Sequence, residues 1–122
     1  MILGIGTDII EVERVKRALE KPEFKRKVFT AREIEHCDKN PTAEQYAARG
    51  AAKEAFFKAL GTGWRNEMEI TDVEIINNEL GKPEIILTGK VSDVFKAMGG
   101  KKIHVSLSHI KATAIAYVII EG

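Results

Sequence analysis

Apolar positions fall along the chain in stretches of period two and of period 3.6, separated by caps and turns. Residues 1–10 are apolar and β-branched with Gly4 and Gly6 among them, which predicts a buried strand closely approached by other backbone. Asp8 interrupts that strand. Val12, Val15 and Leu19 mark one face of a short helix over 11–20, which Pro22 keeps from running on. Thr30 and Glu33 have capping-box spacing and open a helix through about Asp38. Asn40 as cap and Pro41 at the first helical position then predict a long helix to Leu60, ended by a left-handed Gly61. Strands are expected over 69–77 and 83–88, joined by a turn at 78–82, and again over 102–109 and 112–121. Val91, Val94, Phe95 and Met98 give a short helix before Gly99 and Gly100. The pattern is α+β, helices packed on a mainly antiparallel sheet.

Within the long helix, Ala48, Ala52, Ala55 and Ala59 form a stripe of small side chains that lets another element come close. Phe56, Phe57 and Leu60 flank it. Glu54 and Lys58 lie one turn apart on a different face, beside Ala47 and Ala51. On 102–109, strict alternation puts Ile103, Val105 and Leu107 on one face and His104, Ser106 and Ser108 on the other.

Length and composition bound these readings. A chain of 122 residues fits a single domain over 1–122, since one core serves roughly 100–150 residues. Nineteen basic against eighteen acidic residues leave a net charge of +1, which gives no footing for binding along nucleic acid. No apolar run approaches a membrane span and no secretory signal pattern opens the chain, so a cytoplasmic protein is expected. The lone Cys37 fits a reducing compartment and a structural role. A Walker loop, a dinucleotide glycine fingerprint, a nucleophile elbow and zinc-ligand spacing are all missing.

Three features carry candidate chemistry, each beside a plainer alternative. An ionised Asp8 inside an apolar strand needs a cation or donors, unless it sits at the strand end and caps the next helix. Glu54 and Lys58 suit a divalent ion and the phosphate it binds, or form a solvated bridge. The His and Ser file suits phosphate or hydroxyl contacts, or is the wet face of a half-buried strand.

Together these segments resemble the holo-[acyl-carrier-protein] synthases, the small bacterial phosphopantetheinyl transferases. The resemblance runs from Gly4-Ile-Gly-Thr-Asp8-Ile through Arg49-Gly-Ala-Ala-Lys-Glu-Ala-Phe-Phe-Lys-Ala-Leu-Gly-Thr-Gly63 and Gly81-Lys-Pro83 to His104-Val-Ser-Leu-Ser-His109, in the family's order and at its length. It implies the 4′-phosphopantetheinyl transferase fold and transfer of 4′-phosphopantetheine from coenzyme A to a serine of apo acyl carrier protein. It further implies release of adenosine 3′,5′-bisphosphate and a place in fatty acid biosynthesis. On matching positions, Asp8 and Glu54 would ligate Mg²⁺ and Lys58 would meet the pyrophosphate. Arg49, His104, Gly61, Thr62 and Gly63 would help hold the nucleotide, with Gly81, Lys82 and Pro83 on the adenosine side. Arg14, assisted by Lys16 and Arg17, would meet the acidic carrier. The resemblance also implies a homotrimer with sites at its interfaces, and so an intersubunit use for the alanine stripe or for exposed aromatics. One departure stands out: Gly50 occupies a position usually aromatic in the family, which bears on the packing of the helix and not on the metal ligands.

Overall fold

The computed structural model describes residues 1–122. Strand β1 (Ile2–Glu11) leads into α1 (Val12–Ala18), α2 (Pro22–Val28), α3 (Ala31–Cys37) and the long α4 (Glu44–Leu60). A 3-10 turn (Ile70–Asp72) precedes the hairpin β2 (Val73–Asn77) and β3 (Pro83–Leu87), and α5 (Gly89–Ala97), β4 (Lys102–His109) and β5 (Thr113–Glu121) complete the chain. One sheet has the order β1-β5-β4, the other is the β2-β3 hairpin, and every pairing is antiparallel. The α+β expectation holds.

The core lies between α4 and the three-stranded sheet. Ala114, Ala116, Val118 and Ile120 of β5 are fully buried, and Ile103, Val105 and Leu107 of β4 pack beside them. On β1, the residues facing the same way in register with that row are Gly4, Gly6 and Asp8, opposite Ile120, Val118 and Ala116. Ala55 and Ala59 of α4 meet the two glycines so closely that a Cβ added at either would fall 1.9 Å from an alanine carbonyl oxygen. The alanine stripe is therefore consumed inside the subunit, which removes its expected intersubunit use. Ala47 and Ala51 are also fully buried, although Glu54 and Lys58 on the same helical face are exposed.

Several boundaries moved. Pro22 does not merely stop a helix: it occupies the first turn of α2, where its missing N–H costs nothing. Asn40 does not open α4. Its N–H bonds to Cys37 O and closes the end of α3, so α4 starts at Glu44 after Ala43, without a side-chain cap. The expected strand over 69–77 begins only at Val73, because Glu69 and Asp72 cap each other around the 3-10 turn. The Thr30–Glu33 capping box and the left-handed Gly61, at φ 69°, formed as read. Gly50 leaves α4 unbroken, and a Cβ there would meet nothing.

Two glycine substitutions should therefore diverge. Gly50→Ala is expected to raise stability by about 0.5–1 kcal/mol through helix propensity alone. Gly6→Ala must push β1 off α4 and should lower the thermal midpoint sharply or abolish folding. Thermal unfolding followed by circular dichroism reads both; a neutral Gly6→Ala would contradict the close approach.

Candidate active site

Asp8 sits where the close approach of β1 to α4 ends. Its Oδ1 accepts from Lys58 Nζ at 3.1 Å, and the same ammonium donates to Thr7 O at 3.0 Å. Asp8 does not cap α1, whose N-terminal neighbour is Glu11 with no side-chain cap. Lys58 bridges across to β1 instead of along its own helix, so the Glu54–Lys58 pair is not the solvated bridge that spacing allows. Glu54 is exposed and has no ion-pair partner in the chain. Asp8, Glu54 and Arg14 line one cleft of about 350 Å³, walled by Ile9, Ile10, Val15, Ala18 and Phe24.

Two carboxylates at one cleft, one of them bonded to the Lys58 ammonium, fit a hard divalent ion shared with substrate phosphate. Mg²⁺ characteristically takes one or two protein carboxylates and completes its shell with water and phosphate oxygens. No group of three or more potential ligands exists elsewhere that would favour a fully protein-built metal cage.

Arg49 lies one turn and a half before Glu54 on α4 but faces a different cleft. It is buried at 2% exposure, donates from one terminal nitrogen to Gln45 Oε1 at 3.0 Å, and leaves its buried Nε without a partner. Across the cleft, of about 400 Å³, stand Gly81, Lys82 and Pro83 at the tip of the β2-β3 hairpin, and Ser106 and His109 of β4. An orphaned guanidinium donor beside lysine is a ready anion contact. Next to it is a larger cleft of about 510 Å³ lined by Lys82, Pro83, Lys96, Lys101, Lys102 and His104. None of those four exposed lysines is in an ion pair, and the wall sets only one carboxylate, Glu84, against them, so the cleft carries an excess of positive charge.

His104 contacts Glu121 Oε1 at 2.8 Å through Nε2, and the imidazole holds that carboxyl below the usual range. His104 pairs in register with Ile119, on the outward face of the sheet, whereas Asp8 pairs with Ala116 on the inward face. The two residues thus lie on opposite faces within one chain. Gly61, Thr62 and Gly63 leave α4 just beyond Lys58, with Gly61 and Gly63 at positive φ, and do not line any of these clefts. Phe57 packs against Trp64 beyond that loop, ring centroids 5.2 Å apart.

Arg14 and Arg17 are exposed on α1, as the basic reading of that helix requires. Sequence reasoning missed that α2 extends this surface with exposed Arg26 and Lys27 and adds Phe24 to the Asp8 cleft. The signal was present in Pro22, which reads as a start as well as a stop. It also missed the buried charges behind α4. Lys53 pairs with Glu33 at 2.7 Å, and burial pulls its ammonium below the usual lysine range despite that partner. Burial works against the charge of Glu74, but hydrogen bonds from Arg32 and Thr30 outweigh it and hold the carboxyl below the usual range. Burial also pushes the Cys37 thiol up to about 11, as suits a structural residue.

Comparison with known proteins joins these observations. Residues 4–118 match the model of the 4′-phosphopantetheinyl transferase superfamily. The chain is 52% identical to the holo-[acyl-carrier-protein] synthase of Clostridium tetani, covering 100% of this chain and 98% of that one. It is 47% identical to the protein of the same name from Ruminiclostridium cellulolyticum, covering 98% and 92%. Among solved structures, the holo-[acyl-carrier-protein] synthase of Neisseria meningitidis superposes with a TM-score of 0.90 at 33% identity over the whole of both chains. That of Bacillus anthracis, described as a complex with CoA (3′,5′-ADP), superposes with a TM-score of 0.81 at 35% identity, covering 98% and 96%.

Proposed function

The chain belongs to the 4′-phosphopantetheinyl transferase superfamily, as an enzyme of the holo-[acyl-carrier-protein] synthase type, and on that footing we propose how its residues carry out the transfer. The substrates are coenzyme A and an apo acyl carrier protein, and the products are the phosphopantetheinylated carrier and adenosine 3′,5′-bisphosphate. The work is done in the cytoplasm by a single domain serving fatty acid biosynthesis. No helix is long and apolar enough to cross a membrane. The observation that carries the reading is Asp8 of β1, bonded to Lys58 and lining one cleft with Glu54 of α4 and Arg14 of the basic α1.

Asp8 and Glu54 would hold Mg²⁺, which when bound neutralises phosphate charge. Lys58, already held by Asp8 and Thr7 O, faces the pyrophosphate. The carrier's serine oxygen attacks the phosphorus that bears pantetheine, and the bond to the bridging oxygen breaks in favour of adenosine 3′,5′-bisphosphate. Glu54, free of any intrachain ion pair, takes the serine proton. Such a transfer asks for charge neutralisation and alignment more than for an unusual nucleophile. Arg49, Lys82, Pro83 and His104 take the nucleotide, supported by the orphaned Arg49 Nε and the unpaired lysines beside it. In the turn of Gly61, Thr62 and Gly63, the Gly61 N–H closes α4 on Phe57 O, and Thr62 and Gly63 add backbone donors beyond Lys58. Arg14 and Arg17 receive the acidic carrier, steering it by charge.

A homotrimer accounts for two further features. The outward sheet face exposes Ile5 (63%), Ile9 (68%) and Tyr117 (54%) in neighbouring register, an apolar patch that a partner copy would cover. A site that uses both Asp8 and His104 also requires them from two copies, because one sheet separates them.

Intact mass spectrometry of an apo carrier incubated with coenzyme A is expected to show the gain of one phosphopantetheine with Mg²⁺ and none with chelator. Glu54→Gln should fold normally and lose turnover by at least about 100-fold. Carrier left unmodified while coenzyme A and carrier both bind would point to a binding module; cleavage of free coenzyme A at the same rate without carrier would point to a pyrophosphatase. Arg14→Ala should weaken carrier affinity about three- to tenfold at low salt and less at high salt, with coenzyme A affinity unchanged. Wild-type affinity at low salt would remove Arg14 from that role. Light scattering should give a trimer for the wild type and a smaller, folded species for Tyr117→Glu; a monomeric wild type at micromolar concentration would overturn the assembly.

A further inference from the structure

Lys53 immediately precedes Glu54 and follows Arg49 by one turn, yet its side chain runs inward and is 1% exposed. Its Nζ donates to Glu33 Oε1 at 2.7 Å and to Val73 O at 2.6 Å, and lies 5.6 Å from the centre of the Phe29 ring. Glu33 is equally committed. Oε1 also accepts from Thr30 N at 2.9 Å, and Oε2 accepts from Ile75 N at 2.9 Å. Val73 O and Ile75 N belong to one edge of β2, since alternate residues along a strand aim their backbone groups the same way. The edge turned from β3 has no strand beside it, so the ion pair supplies the donor and acceptor that a neighbouring strand would.

That clamp joins two walls of one cleft. Gln45, Ala48 and Arg49 form the α4 wall, while Asn77, Gly81, Lys82 and Pro83 come from the β2-β3 hairpin. An ion pair this deep is a weak source of stability, because desolvation offsets its attraction and apolar replacements are often neutral or better. What it does supply is direction. Fixed donors and acceptors hold the hairpin at one height and rotation against α4, where apolar packing alone would let it slide. We propose that Lys53, through Glu33, is a positioning residue that sets the spacing of α4 and the hairpin across this cleft, and thereby the affinity for the adenosine bisphosphate part of coenzyme A. This rests on the nucleotide reading of the cleft given above.

The test is the double variant Glu33→Gln with Lys53→Met, which removes both charges and keeps an amide able to bond Ile75 N. Calorimetric titration with adenosine 3′,5′-bisphosphate should show a dissociation constant raised about tenfold or more, with KM for coenzyme A rising in parallel. KM for the carrier should hardly move, and the thermal midpoint should fall only modestly, by the donor that Val73 O loses. Equal nucleotide affinity in variant and wild type would overturn the proposal, as would a fall in the thermal midpoint and kcat without any change in nucleotide affinity. A wild type that binds no adenosine bisphosphate would overturn the nucleotide reading itself, and the proposal with it. Should the double variant not fold, Lys53→Arg keeps the charge but places a larger planar head between Glu33 and Val73 O. Weaker nucleotide binding at an unchanged thermal midpoint then supports the role, and unchanged binding overturns it.

Discussion

Everything at the candidate active site depends on how near β1 comes to α4. Gly4 and Gly6 on the strand and Ala55 and Ala59 on the helix leave no room for a single added carbon at either glycine. That contact is backbone against backbone, so it has little freedom to adjust. It fixes the depth of β1 under the helix, and two residues further along the strand it brings Asp8 within hydrogen-bonding reach of Lys58. A strand held one side chain farther away would draw Asp8 back from Lys58 and break that bond. The glycines thus set the geometry of the charges, although they take no part in any chemistry.

The charges of α4 divide into two kinds by where that packing leaves them. Glu54 and Lys58 fall on the part of the helix that β1 and the sheet do not cover, so they stay solvated and available to a substrate. Lys53 and Arg49 fall behind, and each is nearly fully buried. Lys53 is satisfied by Glu33 and a backbone carbonyl, whereas Arg49 keeps a donor unmade. A buried donor without a partner is costly, which sets Arg49 apart as a group prepared for an outside acceptor and Lys53 as one committed to the fold.

Much of this was legible from short-range pattern. Strand β4 spans the residues read for it, because strict alternation from Lys102 to Ser108 fits a strand and no helix. The capping box at Thr30 and the left-handed Gly61 are likewise local devices whose partners lie within a turn. The start of α4 was misread because Asn40 had two uses, closing α3 or opening α4, and only the path of the chain between the helices selects the first. Pro22 posed the same ambiguity. Full-length similarity to relatives of one family makes the fold and the class of reaction unsurprising once these segments are read together.

Residue types and their near neighbours were enough for every strand and for all helices but α2, for the one polar interruption in β1, for the basic first helix and for the family motif that joins them. Which charge meets which was settled by packing across the fold. Asp8 and Lys58 are 50 residues apart, Glu33 and Lys53 are 20 apart, and neither pairing has a signature in spacing. Packing also decided that Asp8 and His104 stand on opposite faces of one sheet, a consequence of register between strands at the two ends of the chain. Register and burial are settled by the packing of all the elements at once, and a carboxylate reads the same in sequence whether it ends in water, in a salt bridge or beneath a helix.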